Sequence, residues 1–277
     1  MNFKIIVDSC CELPQKFKKD KRFASIPLSI EVGGEQIIDD ETFDQLSFIE
    51  KVAKAPECPK SACPSPDKYM EAYNTDAENI FVFTLSSKLS GSYNSAELGK
   101  QLYKEEHEDK NIFVCDSESA SVGETQLALC AVKWAEEGFS FKQICEKLKH
   151  FRDEMKTYFV LDNLETMRKN GRMSRVRALV ASTLSIKPIL GSDKGEIVQI
   201  GQAVGIKKAL SKMVDNCIAE LDSTKKTLMI SHCNCLARAE YVRDLILAKC
   251  NDLEIIILDM AGISSMYANE GGVIITV

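Results

Sequence analysis

The stretch NIFVFTLSSKLSGSYNSA, residues 79–96, decides the fold. Its first third, Asn79–Thr84, is a short apolar run, and that is how a strand buried in a parallel sheet reads. From Ser92 to Lys104 apolar residues recur at three- and four-residue spacing, which predicts a helix. Between them lies a serine-rich turn. Gly91 lets the backbone turn tightly, and hydroxyls and unpaired amides gather at a helix N-terminus. That geometry suits a carboxylate or a phosphate. It equally suits a turn in which Ser90 or Ser92 only caps the helix.

The same grammar extends along the chain. Strands are predicted over Lys4–Val7, Ser25–Ile30, Ile112–Cys115, Tyr158–Leu161, Thr227–Ser231 and Glu254–Leu258. Several end in small polar residues, as at Asp8-Ser9, Ser86-Ser87, Asp116-Ser117 and Ser231-His232, so the strand ends carry polar groups toward a crevice. Helices are predicted over Asp67–Tyr73, Thr125–Glu137, Leu236–Lys249 and Ser140–Met155, the last with Ser140 as N-cap and Phe141, Ile144, Cys145 and Leu148 on one face. After Met155 the texture changes. Leu164–Lys187 is basic and helix-like, and Lys187–Ala203 reads as two strands around a turn at Gly191–Gly195. The expected fold is α/β with two domains: residues 1–155 around a mostly parallel sheet, and residues 156–277 around a mixed sheet.

A length of 277 residues is compatible with one large domain or two ordinary ones. The net charge of −6 leaves no excess of Lys and Arg to neutralise phosphates, which argues against a nucleic-acid partner. No apolar run approaches the roughly 18–20 residues of a membrane span. Eleven cysteines in a chain of this length, with an N-terminus that reads as a first strand rather than a signal peptide, are expected to be reduced thiols in a cytoplasm. No P-loop, dinucleotide fingerprint, nucleophile elbow or zincin motif occurs. The run His232-Cys233-Asn234-Cys235 lacks a second ligand pair at zinc-site spacing and reads as a strand-end loop. No metal and no cofactor is expected.

Three polar segments remain: Ser61–Pro66, Ser86–Ala96 and Asn170–Ser174. Together with Val7-Asp8-Ser9, Glu12-Leu13-Pro14, Ile26-Pro27-Leu28, Asp39-Asp40, Cys115-Asp116-Ser117 and Ile186-Lys187-Pro188-Ile189, in this order and spacing, the chain resembles the DegV family of bacterial fatty-acid-binding proteins. The resemblance spans nearly the whole chain. It implies a two-domain α/β fold with a long-chain fatty acid buried between the domains and its carboxylate held by hydroxyls of two Ser/Thr-rich turns. Those hydroxyls map to Ser61 and Ser90, with Ser92 as adjacent support. It also implies a carrier, not an enzyme, that presents the carboxylate to a separate ATP-dependent fatty acid kinase feeding phospholipid synthesis, with transient contact at a membrane surface. Many members have a His-x-Gly-Pro-Gly segment near the C-terminus. Here Tyr267 aligns with that histidine, and a phenol donates a hydrogen bond but does not exchange a proton near neutral pH as imidazole does. Arg172, Arg175 and Arg177 admit two readings: a solvated basic helix end, or a surface that docks the kinase or steers an anionic head group. Two other functions stay open, a stand-alone small-molecule phosphotransferase and a lipid-sensing regulator.

Overall fold

A computed structural model describes residues 1–107, 109–173, 185–221 and 227–277. The first half runs β1 (Phe3–Asp8), α1 (Gln15–Lys18), β2 (Phe23–Ile26), β3 (Ser29–Val32), β4 (Glu35–Ile38), α2 (Gln45–Lys54), β5 (Lys60–Ala62), α3 (Pro66–Tyr73), β6 (Asn79–Thr84), α4 (Ser92–Glu106), β7 (Asn111–Asp116), α5 (Val122–Glu136) and α6 (Phe141–Glu154). The second half runs β8 (Thr157–Val160), α7 (Glu165–Lys169), β9 (Ile186–Asp193), β10 (Glu196–Val204), α8 (Ile206–Ala219), β11 (Thr227–His232), α9 (Leu236–Leu247), β12 (Glu254–Asp259), α10 (Gly262–Ala268) and β13 (Val273–Thr276).

The first sheet has the order β2-β1-β6-β7, every pair parallel. Both of its faces are buried, which is why its strands read as unbroken apolar runs. Ile6, Ile80 and Val82 face α3 and α4, where Tyr69, Tyr73 and Tyr103 pack. Ile5, Val7, Phe81 and Phe83 face Leu127, Ala128 and Ala131 of α5 and Ile144 and Leu148 of α6. Ser140 caps α6 as expected, and Gln143 reaches back to complete a capping box.

The predicted strand Ser25–Ile30 is two strands. Pro27 has no N–H to give a ladder, so β2 ends at Ile26. β3 then joins a separate antiparallel sheet, β4-β3-β5, that carries Ser61.

The chain crosses to the second sheet at Met155–Lys156, between α6 and β8. That sheet, β10-β9-β8-β13-β11-β12, is mixed: β11 and β12 are parallel and the other pairs antiparallel. The β9–β10 turn has positive φ at Lys194 and Gly195, the hairpin geometry that favours glycine at its second position. One face of the sheet packs Tyr158, Val160, Ile230 and Ile275 against α8 and α9. The other face presents Phe159, Leu161, Leu190, Ile197 and Ile274 toward the first half of the chain. α5 lies between the two sheets, against β1 and β6 on one side and β11 and β13 on the other.

Candidate functional site

Along β8 and at the residue just past its end, alternate residues Thr157, Phe159 and Leu161 point to the inner face. Ile274 pairs with Phe159, and Ile197 with Ser192, so these side chains share that face. They floor a cavity with about 730 Å3 of empty space, its mouth included. Its other walls are Leu85 and Leu89 from the serine-rich turn, Ala120 before α5, Met167 in α7, and Ile263, Tyr267 and Ala268 in α10. The lining is almost wholly apolar, and Arg172 is its one charged member among the described residues.

Three of the predicted polar residues, Ser61, Tyr267 and Arg172, meet at Tyr267 in the cavity wall. Ser61, in the middle of β5, and Tyr267, near the end of α10, are 3.0 Å apart, hydroxyl to hydroxyl. The Arg172 guanidinium lies 5.8 Å from the centre of the Tyr267 ring. It is held in place by Nε donating to the Leu89 carbonyl at 3.1 Å and by a further bond to the Asn170 carbonyl. Arg172 is thus anchored at the cavity rather than lying on a free helix end. Arg175 and Arg177 lie outside the described residues.

Ser90 follows Leu89 in the turn. Its hydroxyl accepts from the Ser92 amide at 3.2 Å, which leaves the hydroxyl proton for another acceptor. Ser92 turns the other way. Fully buried, it donates to Asp8 Oδ2 at 2.6 Å and meets the Tyr69 hydroxyl at 2.6 Å. Asp8 also accepts from the amides of Leu85 and Cys10, so Ser92 fixes the strand ends behind the cavity instead of facing it. Burial pushes the Asp8 carboxyl up, against the pull of these donors.

The turns of the first half are tied to the second sheet beside the cavity. Ser86 Oγ donates to the Gly195 carbonyl at 2.7 Å, Ser192 Oγ to the Glu118 carbonyl at 2.7 Å, and Ser119 and Thr157 share a hydroxyl bond of 2.7 Å. Ser86 and the Gly191–Gly195 turn were marked in the sequence as a polar strand end and a hairpin, but their contact across the two sheets was not, and neither was α10, whose seven residues are too few to show a period.

His232 ends β11 as the loop reading expected, with Nδ1 accepting from the Cys235 amide at 3.3 Å. Among the described residues no cluster of three His, Cys, Asp or Glu is arranged to hold a metal. No helix among them is long and apolar enough to cross a membrane.

Comparison with known proteins agrees with this architecture. A DegV domain-containing protein of Streptococcus gordonii is 34% identical over 278 residues, covering 99% of this chain and 98% of the relative. A DegV family protein from Ruminococcus gnavus, refined with vaccenic acid, superposes with a TM-score of 0.97 at 46% identity, covering 100% of this chain and 99% of that one. The fatty acid kinase B3 protein of Streptococcus pneumoniae, loaded with linoleic acid, gives a TM-score of 0.88 at 31% identity over 100% of this chain and 99% of that one. The family model described as "Uncharacterised protein, DegV family" matches residues 2–277, and the chain belongs to the DegV family.

Proposed function

We propose that this protein binds a long-chain fatty acid in the cavity between its sheets, with the carboxylate at the Ser61–Tyr267 end. The observation that carries this reading is a single apolar cavity wall converging on two hydroxyls and one anchored guanidinium. Fatty acids in related structures, vaccenic acid among them, support it.

An acyl chain gains roughly 0.8 kcal/mol for each CH₂ moved out of water. About fourteen of them give on the order of 11 kcal/mol before ordering costs. Lipid arriving from a bilayer gains little of that, because its surroundings were already apolar. The head-group bonds then decide whether transfer is favourable. In this reading Ser61, Ser90 and Tyr267 donate to the carboxylate, and Arg172 supplies the opposite charge. Ser92 contributes through Asp8 and the shape of the turn.

The protein then acts as a carrier in the cytoplasm, with no catalytic group of its own. It presents the carboxylate to a separate ATP-dependent fatty acid kinase, and the likeness to the kinase B3 protein supports that partner. In this reading Arg172, anchored at the cavity, serves the head group. Mass spectrometry of ligand extracted from the purified protein tests it. A long-chain acid is expected, with occupancy reduced in the Ser61→Ala/Ser90→Ala variant while the fold persists. A copurifying nucleotide or sugar, or unchanged occupancy in that variant, overturns the assignment.

A further inference from the structure

The helix that carries Tyr267 has no cap of its own. α10 begins at Gly262 without a local side chain to receive its first amides. Those amides, unpaired within any helix, are taken by two carboxylates from the far end of the chain. Gly262 N donates to Asp39 Oδ1 at 2.6 Å and Ile263 N to Asp39 Oδ2 at 2.9 Å. Ala261 N donates to Glu12 Oε1 at 3.3 Å. A Cβ on residue 262 would sit 2.6 Å from Asp39 Oδ1, so glycine is what lets this clasp close. The other Glu12 oxygen accepts from Ser121 Oγ at 2.6 Å, and Ser121 meets Ser231 of β11 at 2.7 Å. Glu12 therefore sits where the first sheet, α5, the second sheet and α10 converge.

The groups that face the clasp are acids. Glu12 feels Asp39, Asp39 feels Asp8, and Cys10, Cys11, Asp8 and Glu124 complete the buried surroundings. Among the described residues no Lys or Arg pairs with either carboxylate. His232, beside Ser231, is turned to the Cys235 amide through Nδ1 and to Asp259 through Nε2 at 3.5 Å. Burial outweighs the donors: Glu12 is raised to about 7 and Asp39 to about 6.

We propose that Glu12 and Asp39 are positioning residues that couple closure of α10 over the ligand to proton uptake, so that the protein grips its ligand more firmly as the pH falls. This rests on the fatty-acid reading above. When α10 lifts, both carboxylates return to water and ionise at their ordinary pH. When it closes, they lose that water without gaining a cation. The closed form therefore binds protons more tightly, and linkage makes acid favour it and rising pH favour opening.

The test is the rate at which protein loaded with oleic acid passes it to excess phosphatidylcholine vesicles. For the wild type this rate is expected to rise about threefold or more between about pH 5.5 and about pH 8. Glu12→Gln keeps an oxygen for Ala261 N and an amide for Ser121 Oγ but removes the ion. It is expected to release slowly at both pH values. The ligand's own carboxyl titrates in both proteins, so the difference between their slopes isolates Glu12. Gly262→Ala, which forces Asp39 away, is expected to release faster at both. A Glu12→Gln slope equal to that of the wild type overturns the proposal. A second measurement needs no variant: exchange protection of the Gly262 and Ile263 amides, corrected for intrinsic rates, should be higher at the lower pH, and equal protection overturns the clasp. Failure to bind oleic acid at either pH would instead sink the fatty-acid reading, and the exchange measurement would still decide the clasp.

Discussion

Ser61 and Tyr267 are 206 residues apart in the chain and 3.0 Å apart in space, and their pairing depends on a single phenol oxygen. Tyr267→Phe keeps the ring under the Arg172 guanidinium and removes only that oxygen. One lost hydrogen bond of about 1 kcal/mol corresponds to roughly fivefold weaker retention of a fatty acid, with little change in thermal stability. Equilibrium binding of a fluorescent fatty acid beside a melting curve separates the two effects. Ser92→Ala should behave in the opposite way. It strips a hydrogen bond from Asp8 Oδ2 and another from the Tyr69 hydroxyl, both fully buried. A loss of about 1–3 kcal/mol in stability is expected, measured by denaturant unfolding. The serine pair in one turn thus divides its labour: Ser92 holds the frame, and Ser90 donates to the ligand in the function proposed above.

At the scale of elements, what could be read from sequence followed how locally each element is determined. β6 was legible to the residue because its run is apolar and its ends are polar. α6 was legible because its cap and its apolar face are both written within fourteen residues. α2, α8 and β13 were not identified, and neither were the short strands β4 and β5 whose sheet brings Ser61 to the cavity. A three-residue strand such as β5 has no period to detect, and its partner β3 was hidden behind Pro27 in a single apolar run. The meeting of Ser61, Tyr267 and Arg172 is set by three sequence-distant elements, so spacing could not show it; the family resemblance supplied Ser61 and Tyr267 instead. α5 shows a further limit. Val122 to Ala128 are buried without a break because the helix has a sheet on each side, so it lacks a strong polar face. A helix packed on both sides has little space to yield. Ala131→Leu on its first-sheet face should therefore overpack and cost about 1–3 kcal/mol, seen as a lower midpoint in urea at unchanged slope.

For the molecule as a whole, the buried acids set how stability responds to pH even in the absence of ligand. Glu12, raised to about 7, and Asp39, raised to about 6, keep their protons in the folded protein at pH values where the unfolded chain has released them. Between their ordinary carboxyl range and about pH 7 the folded state therefore binds more protons, and stability falls as pH rises. Asp162 works against this. Its carboxyl is drawn below the usual range by hydrogen bonds from Arg238 and Lys187, despite partial burial. It contributes stability that is complete above the unfolded carboxyl range and is lost only as pH falls below it. The two effects occupy different windows: Asp162 acts at strongly acid pH, while Glu12 and Asp39 act between about pH 5 and about pH 7. Thermal midpoints of the ligand-free protein should accordingly be higher near pH 5.5 than near pH 7.5, by an amount on the order of a few kcal/mol in stability. Glu12→Gln should make that window shallower, leaving the part due to Asp39, without touching the acid limb that Asp162 governs, and Asp162→Asn should remove the acid limb and leave the window. Midpoints that climb from pH 5.5 to pH 7.5 in the wild type would show that the buried acids do not control this range.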